Sequence, residues 1–134
     1  MLITKELLDE LSAEAKVNPR LRQNYDLRNS DADQSQRMLN ALEPGTIIPI
    51  HRHTASSETV TIIRGAIRET FYDKNGKLTE TITLQYGEDV PILVIPRGMW
   101  HSLECLEPDT IIYESKDGAY EPMKPEDVME VQGV

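Results

Sequence analysis

Leu2, Ile3, Leu7, Leu8, Leu11 and Ala15 follow one another at intervals of about three and four, with charged and small polar residues between them. That period gathers the apolar side chains into one stripe, so the pattern predicts an amphipathic helix over 4–15, N-capped by Thr4 and packed against another element. Residues 18–34, NPRLRQNYDLRNSDADQ, are polar and rich in turn formers, which predicts an irregular arm and no second helix. Beyond residue 35 short runs of Ile, Val, Thr, Tyr and Leu are each closed by Gly, Pro, Asn or Asp. They predict strands at 36–42, 46–53, 58–64, 66–72, 78–85, 91–95, 100–106 and 109–115. Asp73-Lys74-Asn75-Gly76 predicts a tight hairpin, because Asn-Gly tolerates the positive φ angles of short β-turns. Strands at such regular spacing indicate an antiparallel sandwich or barrel, so the expected class is all-β with a short N-terminal helix. The expected organisation is a helix and arm over 1–34 packed on the barrel, the barrel itself over 35–120, and a tail over 121–134. In that tail Pro122, Pro125 and Glu126 to Glu130 suggest one helical turn.

Composition adds exclusions. A chain of 134 residues, 39% hydrophobic and 28% charged, is the size and balance of one globular domain. Its formal net charge of −9, without a local basic patch, argues against nucleic acid or an acidic membrane surface as partner. The opening MLITKELLDELSAEAKV lacks the continuous apolar core and small-residue cleavage site of a signal peptide, and no stretch approaches the length of a membrane helix. The single cysteine, Cys105, cannot form an internal disulfide, which agrees with a reducing compartment; cytoplasm is the expected location.

The chain contains three histidines, and two of them stand one residue apart in His51-Arg52-His53-Thr54-Ala55-Ser56-Ser57-Glu58. In an extended segment His51 and His53 share a face while Arg52 points the other way. Residues 54–57 are small and polar enough to turn the chain, and Glu58 then opens the next strand and can return a carboxylate to the same spot. His101 follows Pro96-Arg97-Gly98-Met99-Trp100. By itself an HxH pair fits a solvated surface loop better than a site.

The order of residues changes that weighting. Gly45, His51, His53, Glu58 and Gly65 stand in the spacing of the first cupin motif, with every fixed position filled. Gly87, Pro96, Gly98 and His101 resemble the second motif, with a longer gap before Pro96 and with Cys105 where asparagine is common. The helical start, Pro19-Arg20-Leu21-Arg22, Gln36-Arg37, Leu42-Glu43-Pro44-Gly45 and Glu114-x-Lys116-x-Gly118-x-Tyr120 together resemble the WbuC-type cupin-fold metalloproteins over nearly the whole chain, although Ala119 stands where that family usually has proline. The resemblance implies a cupin double-stranded β-helix, a jelly-roll barrel, holding one divalent transition metal ion on His51, His53, Glu58 and His101. It also implies a small-molecule ligand, a cytoplasmic setting often tied to bacterial polysaccharide biosynthesis, and homodimerisation through sheet edges and the N-terminal segment. Three imidazoles and a carboxylate suit Fe, Mn, Ni, Co or Zn alike.

Other residues are candidates with an ordinary alternative beside each. Glu114 and Lys116 fall on one face of the last strand, as an acid/base and a charge clamp at the barrel mouth or as an exposed ion pair. Arg37, with Arg20 and Arg22, could clamp a carboxylate or phosphate, or be solvated in an acidic protein. Tyr120 is a candidate lid residue, Trp100 is expected to pack between elements, and Cys105 to face the core. The function expected is that of a metal-dependent enzyme, an isomerase or epimerase, acting on a small oxygen-rich molecule such as a sugar. A non-catalytic binding or sensing cupin and an Fe(II) dioxygenase are the alternatives.

Overall fold

Thr4 is extended and its side chain accepts a hydrogen bond from the Leu7 amide, which starts α1 (Lys5–Val17) where expected. The helix runs to Val17 and stops at Asn18, whose amide bonds back to the carbonyls of Glu14 and Ala15. Leu11 and Ala15 are buried against Leu39, Ala41 and Ile111, and Leu7 and Leu8 pack partly buried on the same cluster. Leu2 and Ile3, counted in the apolar stripe, are exposed and precede the helix. The computed structural model describes residues 1–129.

The strands are β1 (Arg22–Asp26), β2 (Ser35–Leu42), β3 (Glu58–Arg64), β4 (Ala66–Tyr72), β5 (Leu78–Gln85), β6 (Ile92–Ile95), β7 (Trp100–Cys105) and β8 (Thr110–Asp117). They form two antiparallel sheets, one in the order β1-β2-β8-β3-β6 and one in the order β5-β4-β7. Alternation along the strands turns Leu42, Val60, Ile62, Ile67, Phe71, Leu84, Ile95, Cys105 and Ile112 into a common interior between the sheets. The opposite face of β2 and β8 carries Leu39, Ala41 and Ile111 to the helix. The result is an all-β jelly roll with one N-terminal helix. The hairpin at 73–76 forms as expected: the Asp73 carboxylate accepts from the amides of Asn75 at 2.8 Å and Lys77 at 3.0 Å, and Gly76 takes φ 81°.

Two expectations are corrected. The arm over 18–34 contains β1, an edge strand that pairs with β2 from Arg22↔Leu42 to Asp26↔Met38. Its sequence RQNYD has no apolar alternation because it covers a sheet edge, and only Tyr25 is packed among hydrophobic neighbours. Conversely, 46–53 is not a strand: only His51 makes bridge pairings, with His101 and with Val128. Pro49 interrupts that stretch, and Ile47 is exposed. At the other end a 3-10 turn, Pro125–Asp127, occupies part of the place where a helical turn was expected, and Glu130 lies outside the described residues. No helix among the described residues is long and apolar enough to cross a membrane.

Candidate metal centre

Three short stretches, the segment 51–53, the start of β3 and the start of β7, converge at one end of the barrel interior. Glu58 opens β3, opposite Lys116 on β8 and Ile95 on β6. His101 is the second residue of β7, opposite Phe71 on β4. His51 is tied to His101 by a reciprocal pair of backbone bonds, 3.0 Å from its amide and 2.8 Å to its carbonyl. The carbonyl of His53 accepts from the Gly98 amide at 2.7 Å, so the Pro96-Arg97-Gly98 turn, with Gly98 at φ 81°, holds the second histidine.

One ligand atom from each of His51, His53, Glu58 and His101 lies within 4.8 Å of the other three. The ring centroids of His51 and His101 are 4.3 Å apart, those of His51 and His53 5.0 Å, and those of His53 and His101 5.6 Å. Glu58 and His101 are buried, and the other two imidazoles are partly so. His51 Nδ1 lies 2.8 Å from the Pro49 carbonyl and His101 Nδ1 2.9 Å from that of Met99. A carbonyl only accepts, so Nδ1 carries the proton in both rings and Nε2 keeps a free lone pair. Burial, then the neighbouring His101, pushes the His51 pKa down to about 4, so that ring is neutral at pH 7.

Glu58 supplies the decisive atom. Its Oε2 is buried and has no hydrogen-bond partner among the described residues, although His53 Nε2 stands 3.0 Å away and His101 Nε2 3.7 Å. Burial alone would raise its pKa, but the His101 and His53 imidazoles outweigh that and hold the carboxyl well below its ordinary value. A buried, ionised oxygen with no hydrogen-bond donor of its own is costly unless a cation lies beside it. The donor set therefore fits a divalent transition metal ion.

Of the other expected site residues, Lys116 pairs with Glu58 and Glu114 with Val60 one step deeper, so both lie on the interior face of β8 and both are partly buried. Burial, and then the negative charge of Glu58, pushes the Glu114 pKa up to about 8. Outside the cluster opens a cavity of about 500 Å³ lined by His53, Lys116, Tyr120, Arg52, Gln36 and Lys124, among others. Tyr120 is 57% exposed at this mouth, and Arg28 stacks over its ring at 5.6 Å. Arg37 is not brought there: it sits opposite Ser115, on the alternate face of β2, and pairs with Asp33 at 3.3 Å. Arg22 donates to Thr46 and to the Ile47 carbonyl, and Arg20 is exposed. Trp100 is partly buried with the Arg52 guanidinium over its ring, and Cys105 faces the core as expected.

Sequence reasoning passed over Glu69. It is 1% exposed on β4, between Leu103 of β7 and Ile82 of β5, and its Oε2 has no partner among the described residues. Burial, then the charges of Glu58 and Glu114, raises its pKa well above the ordinary carboxylate value. The signal was present in AIRETFY, where Glu69 has the parity of Ile67 and Phe71, the inward positions.

Residues 3–84 match a protein family described as "Domain of unknown function (DUF6016)". The chain belongs to that family. The DUF6016 match takes in His51, His53 and Glu58 and ends before His101. The chain is also similar to Germin-like protein subfamily 3 member 4 from Arabidopsis thaliana, 35% identical over 60 residues, which is 45% of this chain and 27% of that one. It thus spans about a quarter of the length of that relative, 27%. Among solved structures, KdgF from Halomonas sp. superposes with a TM-score of 0.60 at 18% identity, over 76% of this chain and 83% of that one. Oxalate oxidase in complex with the substrate analogue glycolate gives 0.60 at 18% identity, over 78% and 54%. Oxalate decarboxylase from Bacillus subtilis gives 0.57 at 20%, over 82% and 27%. These neighbours are cupins, and the DUF6016 chain shares their fold.

Proposed function

We propose that this protein is a metal-dependent cupin enzyme in which His51, His53, Glu58 and His101 hold one divalent transition metal ion. Its substrate is a small oxygen-rich molecule such as a sugar derivative, admitted at the mouth beside Lys116 and Tyr120. The observation that carries this reading is the unpartnered, buried Glu58 Oε2 in a cluster where His51 and His101 keep a free lone pair on Nε2. A divalent ion bound there supplies a Lewis acid with positions open to two oxygens of a hydroxy acid, enediol or sugar.

The chain's own groups do the rest. Glu114, on the interior face next to Glu58, is largely protonated near pH 7 and can give a proton to a developing alkoxide or enolate and take it back. Lys116 offers an ammonium beside Glu58 to an anionic substrate oxygen, and Tyr120 lies over the entrance. The likeness to WbuC-type cupins supports a sugar substrate, a cytoplasmic setting and a place in polysaccharide biosynthesis. A homodimer belongs to the same reading, supported by the exposed Met1 and Leu2 and by Ile92 and Val94 on the edge strand β6.

The test is a screen of sugars and hydroxy acids with untagged, metal-loaded protein, under argon and in air. Turnover under argon is expected. Glu114→Gln should keep metal content and fold and lose on the order of 100-fold or more in turnover, the usual contribution of a positioned acid/base. Oxygen uptake coupled to turnover would instead make the protein a dioxygenase, and tight saturable binding without conversion would make it a sensor.

A further inference from the structure

Arg52 stands between two histidines of the cluster and points away from it. Its Nε donates to Asp127 Oδ1 at 2.9 Å, its amide donates to the Asp127 carbonyl at 3.0 Å, and its guanidinium carbon lies 4.6 Å from the ring centroid of Trp100. Trp100 immediately precedes His101 in β7. Asp127 is 7% exposed, so the acidic partner of this ion pair is buried while the Arg52 side chain keeps 32% of its surface in water. One arginine thereby joins the histidine segment, the strand that carries His101 and the C-terminal segment.

The backbone repeats the arrangement. His51 is bridged by His101 on one side and by Val128 on the other, and the Met129 amide donates to the Ile50 carbonyl at 2.8 Å. Because 46–53 belongs to no named strand, residues 127–129 supply one of the two flanks that keep His51 extended. The same C-terminal segment contributes Gly118, Tyr120, Lys124 and Asp127 to the wall of the mouth cavity. A partly screened arginine stacked on tryptophan and a buried aspartate hold well together, but removing either partner strands the other's charge.

We propose that Arg52, Trp100 and Asp127 form a positioning clamp that couples docking of the C-terminal segment 118–129 to occupancy of the metal centre. This rests on the reading of His51, His53, Glu58 and His101 as ligands. The clamp acts on backbone position, since among the described residues the side-chain hydrogen bond, ion pair and ring stacking of its three residues join them to one another and not to the cluster's ligand atoms. Coupling of this kind is reciprocal: the docked segment tightens metal binding, and the bound ion holds the segment in place by the same factor. Loading of the centre and closure of the mouth wall are then one event.

The test measures Co(II) affinity of the full-length chain by visible titration and amide exchange at Met129 with and without Co(II). Asp127→Ala and Arg52→Ala should each weaken Co(II) binding by about 10- to 100-fold, the usual range for residues that orient ligands, and the double variant should be no weaker than the worse single one. Co(II) should slow exchange at Met129 in the wild type and not in Asp127→Ala. If Asp127→Ala does not fold, Asp127→Asn and Trp100→Phe carry the same comparison with smaller losses. Variants that bind Co(II) within twofold of the wild type, or equal protection of Met129 in all of them, would overturn the clamp while leaving the ligand set intact. A wild type that takes up no Co(II) would overturn the ligand reading and the clamp with it.

Discussion

His51 and His101 each direct Nδ1 to the carbonyl two positions earlier, on Pro49 and Met99, so a local backbone feature selects the tautomer before any ligand arrives. The price of this readiness is a neutral ring in a desolvated place. An unfolded histidine takes up a proton near pH 6.5, whereas burial and the neighbouring His101 hold folded His51 at about 4. Between those values the unfolded chain binds the extra proton, so stability due to this residue is present above pH 6.5 and lost as pH falls toward 4. Urea unfolding of metal-free protein at pH 7 and pH 5 should show the wild type losing more stability on acidification than His51→Gln. Equal losses would place the acid sensitivity elsewhere. The cluster residues were legible in the sequence because an HxH pair, a turn and a carboxylate carry their spacing with them. Glu69 and Asp127 were not, because a lone acidic residue in a strand or tail looks solvated until packing shows which way it faces.

The strands β2 to β8 were readable from β-branched runs closed by turn residues, since half-buried strands must alternate. β1 and 46–53 went wrong for opposite reasons: β1 pairs along an edge and needs little apolar surface, while 46–53 has apolar residues but is extended by tethers at His51 instead of a ladder. The corner from β3 to β4 shows the sequence and packing in agreement. Gly65 takes φ 80°, and a Cβ there would lie 2.8 Å from the Thr110 Cα, where β8 begins. Thr110 Oγ1 also meets the Ala66 amide at 3.2 Å, so neither side of the contact is free to move. Gly65→Ala should cost about 3 kcal/mol or more, from left-handed strain together with overpacking. A loss below about 1 kcal/mol in urea unfolding would show that the corner relaxes.

Across the protein, the cluster is assembled from the segment 51–53, the start of β3 and the start of β7, and β3 and β7 belong to different sheets. No short peptide contains such a set, so metal affinity and folding are linked: an ion that binds the folded chain and not the unfolded one raises stability with its concentration. The barrel brings Lys116, Glu114 and Glu69 inward around the same end, whereas Arg37 is committed to the outer face by strand parity. The most direct measurement is the metal content of untagged protein, wild type and His51→Ala/His53→Ala, by elemental analysis alongside thermal unfolding. The expected result is close to one divalent transition metal ion per wild-type chain, none in the double variant, and a melting temperature that rises with added metal only in the wild type. A folded double variant that retains stoichiometric metal would contradict the assignment of the ion to this cluster.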